Sequence, residues 1–209
     1  FEGGDLDAVV VPSPFAPRVV PGGRLAPYLA QQGVQLSRSV MSGVTFSFFN
    51  CEDPIVGGTT PAQVALRRAI GLGCDNPALL EHGFLGQGVV AQSMVAPFNT
   101  GYDPKLVSEV ARHAPARARA LLDLYGFVDR NGDGYRERPD GSPLSIELAA
   151  TADQRSRLLA EVWERRMTQI GLRFNFAFMP FPELIRRTLA GSLQMSAMSW
   201  NNGPDGDVY

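Results

Sequence analysis

Between residues 144 and 198 the hydrophobic period of the chain switches four times, and few architectures accommodate that order. Leu144-Ser145-Ile146-Glu147-Leu148 alternates as a half-buried strand does. Residues 153–170 change to a helical period, with Leu159, Val162, Trp163, Met167 and Ile170 on one stripe and Gly171 as the stop. Residues 172–178 alternate again, placing Leu172, Phe174, Phe176 and Phe178 on one face. A helix over 180–190 and a strand over 193–198 complete the series, and the residues from Trp200 on read as a polar tail. Strand, helix, strand, helix, strand at this spacing predicts a sheet with helices packed on it, the α/β class.

The stretch that leads into this series, residues 115–147, is equally explicit. Pro115 opens a helix at the position where its missing N–H costs nothing, and Gly126 supplies the left-handed residue that ends it. Leu121, Leu122 and Tyr125 share a face of that helix. Asp129-Arg130-Asn131-Gly132-Asp133-Gly134 is dense in turn formers, and Pro139-Asp140-Gly141 makes a second turn before the strand at 144.

The first half of the chain is less regular. Residues 6–11 (Leu-Asp-Ala-Val-Val-Val) read as a short strand, and residues 12–23, with four prolines and two glycines, as a loop. A short helix is predicted over 27–32, a strand over 34–40, and the strongest strand of the chain over 44–49 (Val-Thr-Phe-Ser-Phe-Phe). Pro61 opens a helix, and Asp75 caps a second one running through His82. Residues 83–103 hold four glycines and little periodicity, long for a loop in a compact domain. Phe46, Phe48 and Phe49 are assigned to the core.

Composition narrows the function. The 209 residues suffice for one large or two small domains, and 44% hydrophobic with 19% charged residues is ordinary for a soluble globular protein. A net charge of -2 offers no field for nucleic acid or anionic lipid. No apolar run approaches the roughly 20 residues of a membrane helix. The chain opens at Phe1, without initiator Met or leader, and reads as an excised piece. Cys51 and Cys74 make no disulfide framework and read as isolated thiols, their pairing left open; with only His82 and His113 beside them, no zinc spacing can be written.

Several motifs invite chemistry. Asp129, Asn131, Asp133 and the Tyr135 carbonyl match the opening of a calcium loop whose twelfth position is Asp140, although a strand and not a helix follows. The competing reading is a metal-free surface turn. Gly86-Gln87-Gly88-Val89-Val90-Ala91 matches a loose dinucleotide fingerprint but follows a helix, so its structural context is missing. A hydrolase built on His82 or His113 has no nucleophile elbow to support it. Arg67 and Arg68 read as a solvated face or a structural ion pair. Asn50 closes a strand, and strand ends are where open α/β sheets bind ligands. Trp200, Asn201 and Asn202 offer a rigid apolar face and paired donors and acceptors, yet a core tryptophan with turn asparagines fits the residues equally well.

An ordered set of pieces carries a family resemblance. Ala118-Arg119-Ala120-Leu121-Leu122 leading to Gly126-Phe127, then Asp129 through Gly132-Asp133-Gly134 to Arg136-Glu137, then Gly141 with Pro143-Leu144 and Ile146-Glu147, resembles the solute-binding proteins of peptide- and nickel-type ABC importers, family 5. Asp53-Pro54, Leu66-Arg67-Arg68-Ala69-Ile70, Gly101-Tyr102-Asp103-Pro104 and Trp200 follow that family's order, with a weaker echo in Gly4-Asp5-Leu6-Asp7. The resemblance implies a periplasmic-binding-protein type II-like lobe, a mixed sheet flanked by helices, with residues 1–209 forming the second lobe of a two-lobed protein. It implies binding without catalysis or cofactor, a small solute or oligopeptide as ligand, and hinge closure in the manner of a Venus flytrap. The implied partners are the first lobe and the membrane subunits of an ABC permease, in a periplasmic or otherwise extracytoplasmic compartment. The segment after Trp200 then lines the cleft, giving Trp200, Asn201, Asn202 and Asp205, with Asn50, as ligand residues. Where peptide-binding members hold the peptide's amino group with an aspartate three residues past the tryptophan, this chain has Gly203, and the nearest carboxylates are Asp205 and Asp207.

Overall fold

The computed structural model describes residues 1–201, the side chains of Ser13 and Val110 excepted. Four strands, β1 (Gly43–Phe49), β2 (Ser145–Thr151), β3 (Arg173–Met179) and β4 (Met195–Asn201), form one mixed sheet in the order β1-β4-β2-β3. β2 lies parallel to both β3 and β4, whereas β1 runs antiparallel to β4 with Gly43 opposite Asn201 and Phe49 opposite Met195. The predicted α/β class and mixed sheet are therefore what the chain adopts.

Helices cover both faces. α3 (Pro61–Gly73), α5 (Pro115–Leu124) and α6 (Gln154–Gln169) pack on the face that carries Ile146, Leu148 and Ala150 of β2. Leu66, Ile70, Leu122, Met167, Ile170 and Leu172 are fully buried there, and shortening any of them to Ala costs about 2–5 kcal/mol. α7 (Phe181–Leu189) closes the other face through Leu184 against Ala149, Ala177 and Met179. α4 (Asn76–Phe84) lies along α6. Helix starts follow the sequence signals: Thr60 and Gln63 form a reciprocal capping box, Asp75 accepts from Ala78 N–H, and Asp153 accepts from Ser156 N–H.

The polar hairpin between α5 and β2 is a clasp. Arg136, largely buried, donates through Nε to Ile170 O (2.8 Å) and through Nη1 to Phe127 O and Asp123 Oδ1 (2.5 Å each), tying the hairpin to the ends of α5 and α6. Glu137, only 9% exposed, accepts from Arg130 N–H at 2.7 Å. The Asp53-Pro54 segment is a second locked turn. Asp53 Oδ1 accepts from both Ile55 and Val56 N–H, and Val56 enters the core with its carbonyl held by Arg67.

The amino-terminal expectations need correction. Residues 6–11 and 34–40 are not strands, because the described sheet offers them no partner. Residues 12–23 are not plain loop: 3-10 turns at Ser13–Phe15 and Pro21–Gly23 flank a one-turn helix, α1 (Ala16–Val19). The prolines that favoured a loop sit at helix-starting positions, where their fixed φ is tolerated. The helix predicted over 27–32 forms as α2 (Pro27–Gln31).

Candidate functional site

Three parallel strands bring their carboxyl ends to one edge of the sheet, and β4 reaches farthest. Ala149 of β2 pairs with Ser196, so Thr151 is level with Met198 and β4 continues past the end of β2. There β1 is its partner: Val44 faces Trp200, Phe46 faces Met198, and Phe48 faces Ser196. Because side chains alternate, Val44, Phe46, Phe48, Met198 and Trp200 share one face of this two-stranded ribbon. Phe46 and Phe48 are half-buried with ring centroids 6.1 Å apart, and Trp200 is 45% exposed. The opposite face is polar. Thr45 and Ser199 hydroxyls bond at 2.8 Å, and the Asn201 amide covers Gly43, where a Cβ would lie 2.5 Å from its Oδ1. Such a ribbon presents an aromatic platform and a row of hydroxyl and amide groups at the sheet edge where open α/β folds bind ligands.

The edge is completed by the start of α6. Asp153 caps that helix and bonds the hydroxyls of Thr151 and Ser156. Partial burial pushes its carboxyl upward, but the bonds from Thr151 and Ser156 outweigh this and hold it below the ordinary carboxylate range.

The structure separates some of the residues that sequence grouped. Asn50 follows β1 at the end opposite to Trp200. Its amide donates to Gly191 O and accepts from Glu52 N–H, which fixes the turn after β1. Asn202, Gly203, Asp205 and Asp207 lie outside the described residues. Sequence reasoning left Phe46 and Phe48 in the core with Phe49. Strand parity was the available signal, since positions 46 and 48 share the Trp200 face and only Phe49 packs on the main core.

Of the calcium loop read from the sequence, the structure brings only part together. Among the described residues the carboxylates that converge are Asp129, Asp133 and Glu137, without Asp140. Asp129 accepts from Gly132 and Gly134 N–H, Asn131 from Asp133 N–H, and Asp133 from Tyr135 N–H and Arg173, so their oxygens already serve as turn acceptors. Asp140 bonds Arg138 and Ser142 in the next turn. The other motifs are equally local. His82 bonds Ala78 O in its own helix, and His113 is half-buried before α5. Gly86–Ala91 trails α4 with no strand before it. Arg68 and Arg117 grip Glu109 (2.7 and 2.6 Å), and their hydrogen bonds lower its pKa. Cys51 is exposed and Cys74 buried, both as free thiols; burial raises the Cys74 thiol to about 12.

Comparison with known proteins gives this geometry a lineage. The nickel-binding periplasmic protein of Escherichia coli (strain K12) is 31% identical over 114 residues, covering 52% of this chain and 20% of that protein. Di/tripeptide-binding protein 2 of Pseudomonas aeruginosa (strain UCBPP-PA14) is 28% identical over 145 residues, covering 67% and 25%. Among solved structures, the oligopeptide-binding protein AppA from Bacillus subtilis, in complex with a nonapeptide, superposes with a TM-score of 0.70 at 17% identity, over 79% of this chain and 32% of that one. NikA from Brucella suis, in complex with Fe(III)-EDTA, gives 0.61 at 23% identity, over 78% and 32%. The chain thus spans a quarter or less of these curated relatives and about a third of the solved structures. Among the described residues, no helix is long and apolar enough to cross a membrane. The family model of the bacterial extracellular solute-binding proteins, family 5 (Middle), matches residues 1–209 from end to end, and the chain belongs to that family.

Proposed function

We propose that this chain is the second lobe of a two-lobed solute-binding protein, the substrate-capturing component of an ABC importer working outside the cytoplasmic membrane. A small solute or peptide binds between this lobe and the first, closure stabilises the complex, and the loaded protein delivers its cargo to the permease subunits. The protein acts by binding and not by catalysis. The observation that carries this reading is the overhanging β1–β4 ribbon, which leaves Trp200 45% exposed beside Met198 and Phe46 at the carboxyl edge of the parallel strands. Trp200 supplies a flat apolar contact and an indole N–H, and Asn201 supplies an amide on the reverse face. Asn202 and Asp205, which follow directly, are assigned to the same cleft. Relatives named for nickel, di- and tripeptide binding, and solved relatives holding a nonapeptide or Fe(III)-EDTA, support small polar solutes and short peptides as the classes to try.

A thermal-shift screen of the intact protein against di- and tripeptides, longer peptides, amino acids, sugars and metal–chelate complexes tests the reading. A ligand at 100 times its Kd stabilises the folded state by about 2.7 kcal/mol, a shift easily read. At least one class should raise the melting temperature, and the rise should fall to about half or less in Trp200→Ala and Asn202→Ala. A panel with no stabilising member would reject transport, and a solute that stabilises both variants as well as the unmodified protein would remove the site from the ribbon.

A further inference from the structure

Most arginines that stand near the core of this fold are spent on it. Arg68 and Arg117 bond Glu109, Arg136 bonds Asp123, and Arg166 bonds Asp75. Arg67 and Arg119 donate to the carbonyls of Val56 and Gln169. Arg157 is different. It is an exposed residue near the start of α6, just after the carboxyl end of β2, and its guanidinium lies over the ring of Phe178 on β3, 4.8 Å from the centroid. Among the described residues, no hydrogen bond or ion pair engages that guanidinium. Asp153, one turn earlier, is already taken: its oxygens accept from Ser156 N–H and from the hydroxyls of Thr151 and Ser156.

A guanidinium stacked by its flat face keeps its N–H donors on the rim, in the fork that matches a carboxylate. The stack also orders a long side chain before any ligand arrives, which lowers the entropy lost on binding. The ring beneath it is itself held. Phe178 is half-buried, packs on the main core and stacks on Phe176 with centroids 6.4 Å apart. Arg157 is therefore a positioned cation with unspent donors, and it stands at the carboxyl edge of the sheet. Ser196, Ala149 and Ala177 are level across β4, β2 and β3, so Trp200 lies three residues beyond Phe178 and two strands away. At about 3.3 Å per residue and about 4.8 Å per strand, the two rings are rooted about 14 Å apart. That is the length of about four residues of extended chain. Strand parity places Trp200 on the Ala149 face and Phe178 on the Ala150 face, so a solute that reaches both lies across the edge.

We propose that Arg157 is a specificity-determining residue of the cleft, and that its fork pairs with a carboxylate of the solute while another part of the solute rests on Trp200. The inference rests on the solute-binding reading and deepens it, because it gives the solute an anionic end. The terminal carboxylate of a short peptide and a carboxylate of a metal chelate both present this chemistry.

Calorimetric titration of the intact protein with tri- and tetraalanine, each as free acid and as C-terminal amide, and with Ni(II)–EDTA tests this. If the carboxylate is a peptide terminus, the free acids should bind at least about tenfold more tightly than the amides. In Arg157→Gln that preference should fall to within about twofold, with the affinity of the amides and the solute-free melting temperature unchanged. Arg157→Lys, which keeps the charge but not the fork, should fall between. If the carboxylate belongs to a chelate, Ni(II)–EDTA should bind and lose about tenfold or more in Arg157→Gln. Acid and amide bound equally by the unmodified protein would overturn the inference for peptides, and an affinity for Ni(II)–EDTA that survives Arg157→Gln would overturn it for chelates. Acid and amide weakened alike in Arg157→Gln would overturn it too, since that is the signature of lost packing on Phe178. A solute screen whose stabilising members all lack a carboxylate would overturn this inference and leave the transport reading standing, whereas a screen with no stabilising member would remove both.

Discussion

Arg136 offers a direct test of the claim that the glycine-aspartate hairpin is a structural clasp. Its guanidinium serves two main-chain carbonyls, Phe127 O and Ile170 O, and the carboxylate of Asp123. The arginine side chain is 12% exposed and the aspartate 59%, so the ion pair is largely screened while the carbonyl bonds are sheltered. Hydrogen bonds from a charged donor contribute about 1.5–3 kcal/mol each, so losing the two carbonyl bonds in Arg136→Ala should cost about 3–6 kcal/mol. For a domain of this size that lowers the melting temperature by about 10 °C. Asp123→Ala removes only the exposed pair and should cost less than about 1 kcal/mol, fading with added salt. Arg136→Lys, which can satisfy part of the set, should fall between them. Circular-dichroism melts at low and high salt measure all three. An Arg136→Ala shift below about 3 °C, or an Asp123→Ala loss equal to it, would show that the clasp is a surface ion pair and refute the reasoning.

Other consequences are quickly checked. With Cys51 exposed and the Cys74 thiol raised to about 12, a thiol reagent should label Cys51 alone in the native protein and both after denaturation; rapid labelling of Cys74, or none of Cys51, contradicts the placement. A Cβ at Gly57 would lie 2.4 Å from Asp53 O and 2.5 Å from Cys51 O, both main-chain atoms, so Gly57→Ala should destabilise by more than about 2 kcal/mol, and an unchanged denaturant midpoint would disprove that packing. Glu109, held down by hydrogen bonds from Arg68 and Arg117, has a folded-state pKa below its unfolded one. Its contribution is therefore complete above the unfolded carboxylate range and lost as pH falls through the lowered value. Melts recorded from about pH 6 down to 3 should show a shallower acid-side loss in Glu109→Gln than in the unmodified protein, and identical slopes would remove the triad from the account.

What sequence could and could not reveal follows from the range of the interactions. The stop at Gly126, the caps at Asp75 and Asp153 and the stripe of α6 are set within a few residues, and they form as read. Strand identity is set by partners. Residues 44–49 find β4 and become a strand, whereas the equally β-branched 6–11 find none here and do not. The direction of pairing is also invisible locally: antiparallel β1 carries Asn50 away from Trp200, although both close strands. Aspartates at 129 and 133 suit a cation and a tight turn equally well on paper, and the backbone amides of Gly132, Gly134 and Tyr135 take them for the turn. The aromatic face of the ribbon was legible from parity, but that it overhangs the sheet depends on the register of β4 against β2.

The most direct test of the account is a calorimetric titration of the intact protein and its Trp200→Ala variant with the solute that stabilises it best. Trp200 is half-exposed and outside both cores, so the solute-free melting temperature should stay within about 1–2 °C of the unmodified protein. Loss of the aromatic platform should weaken binding about tenfold or more, the equivalent of about 1.4 kcal/mol. An affinity unchanged within about twofold, with the fold intact, would contradict the placement of the solute on the β1–β4 ribbon.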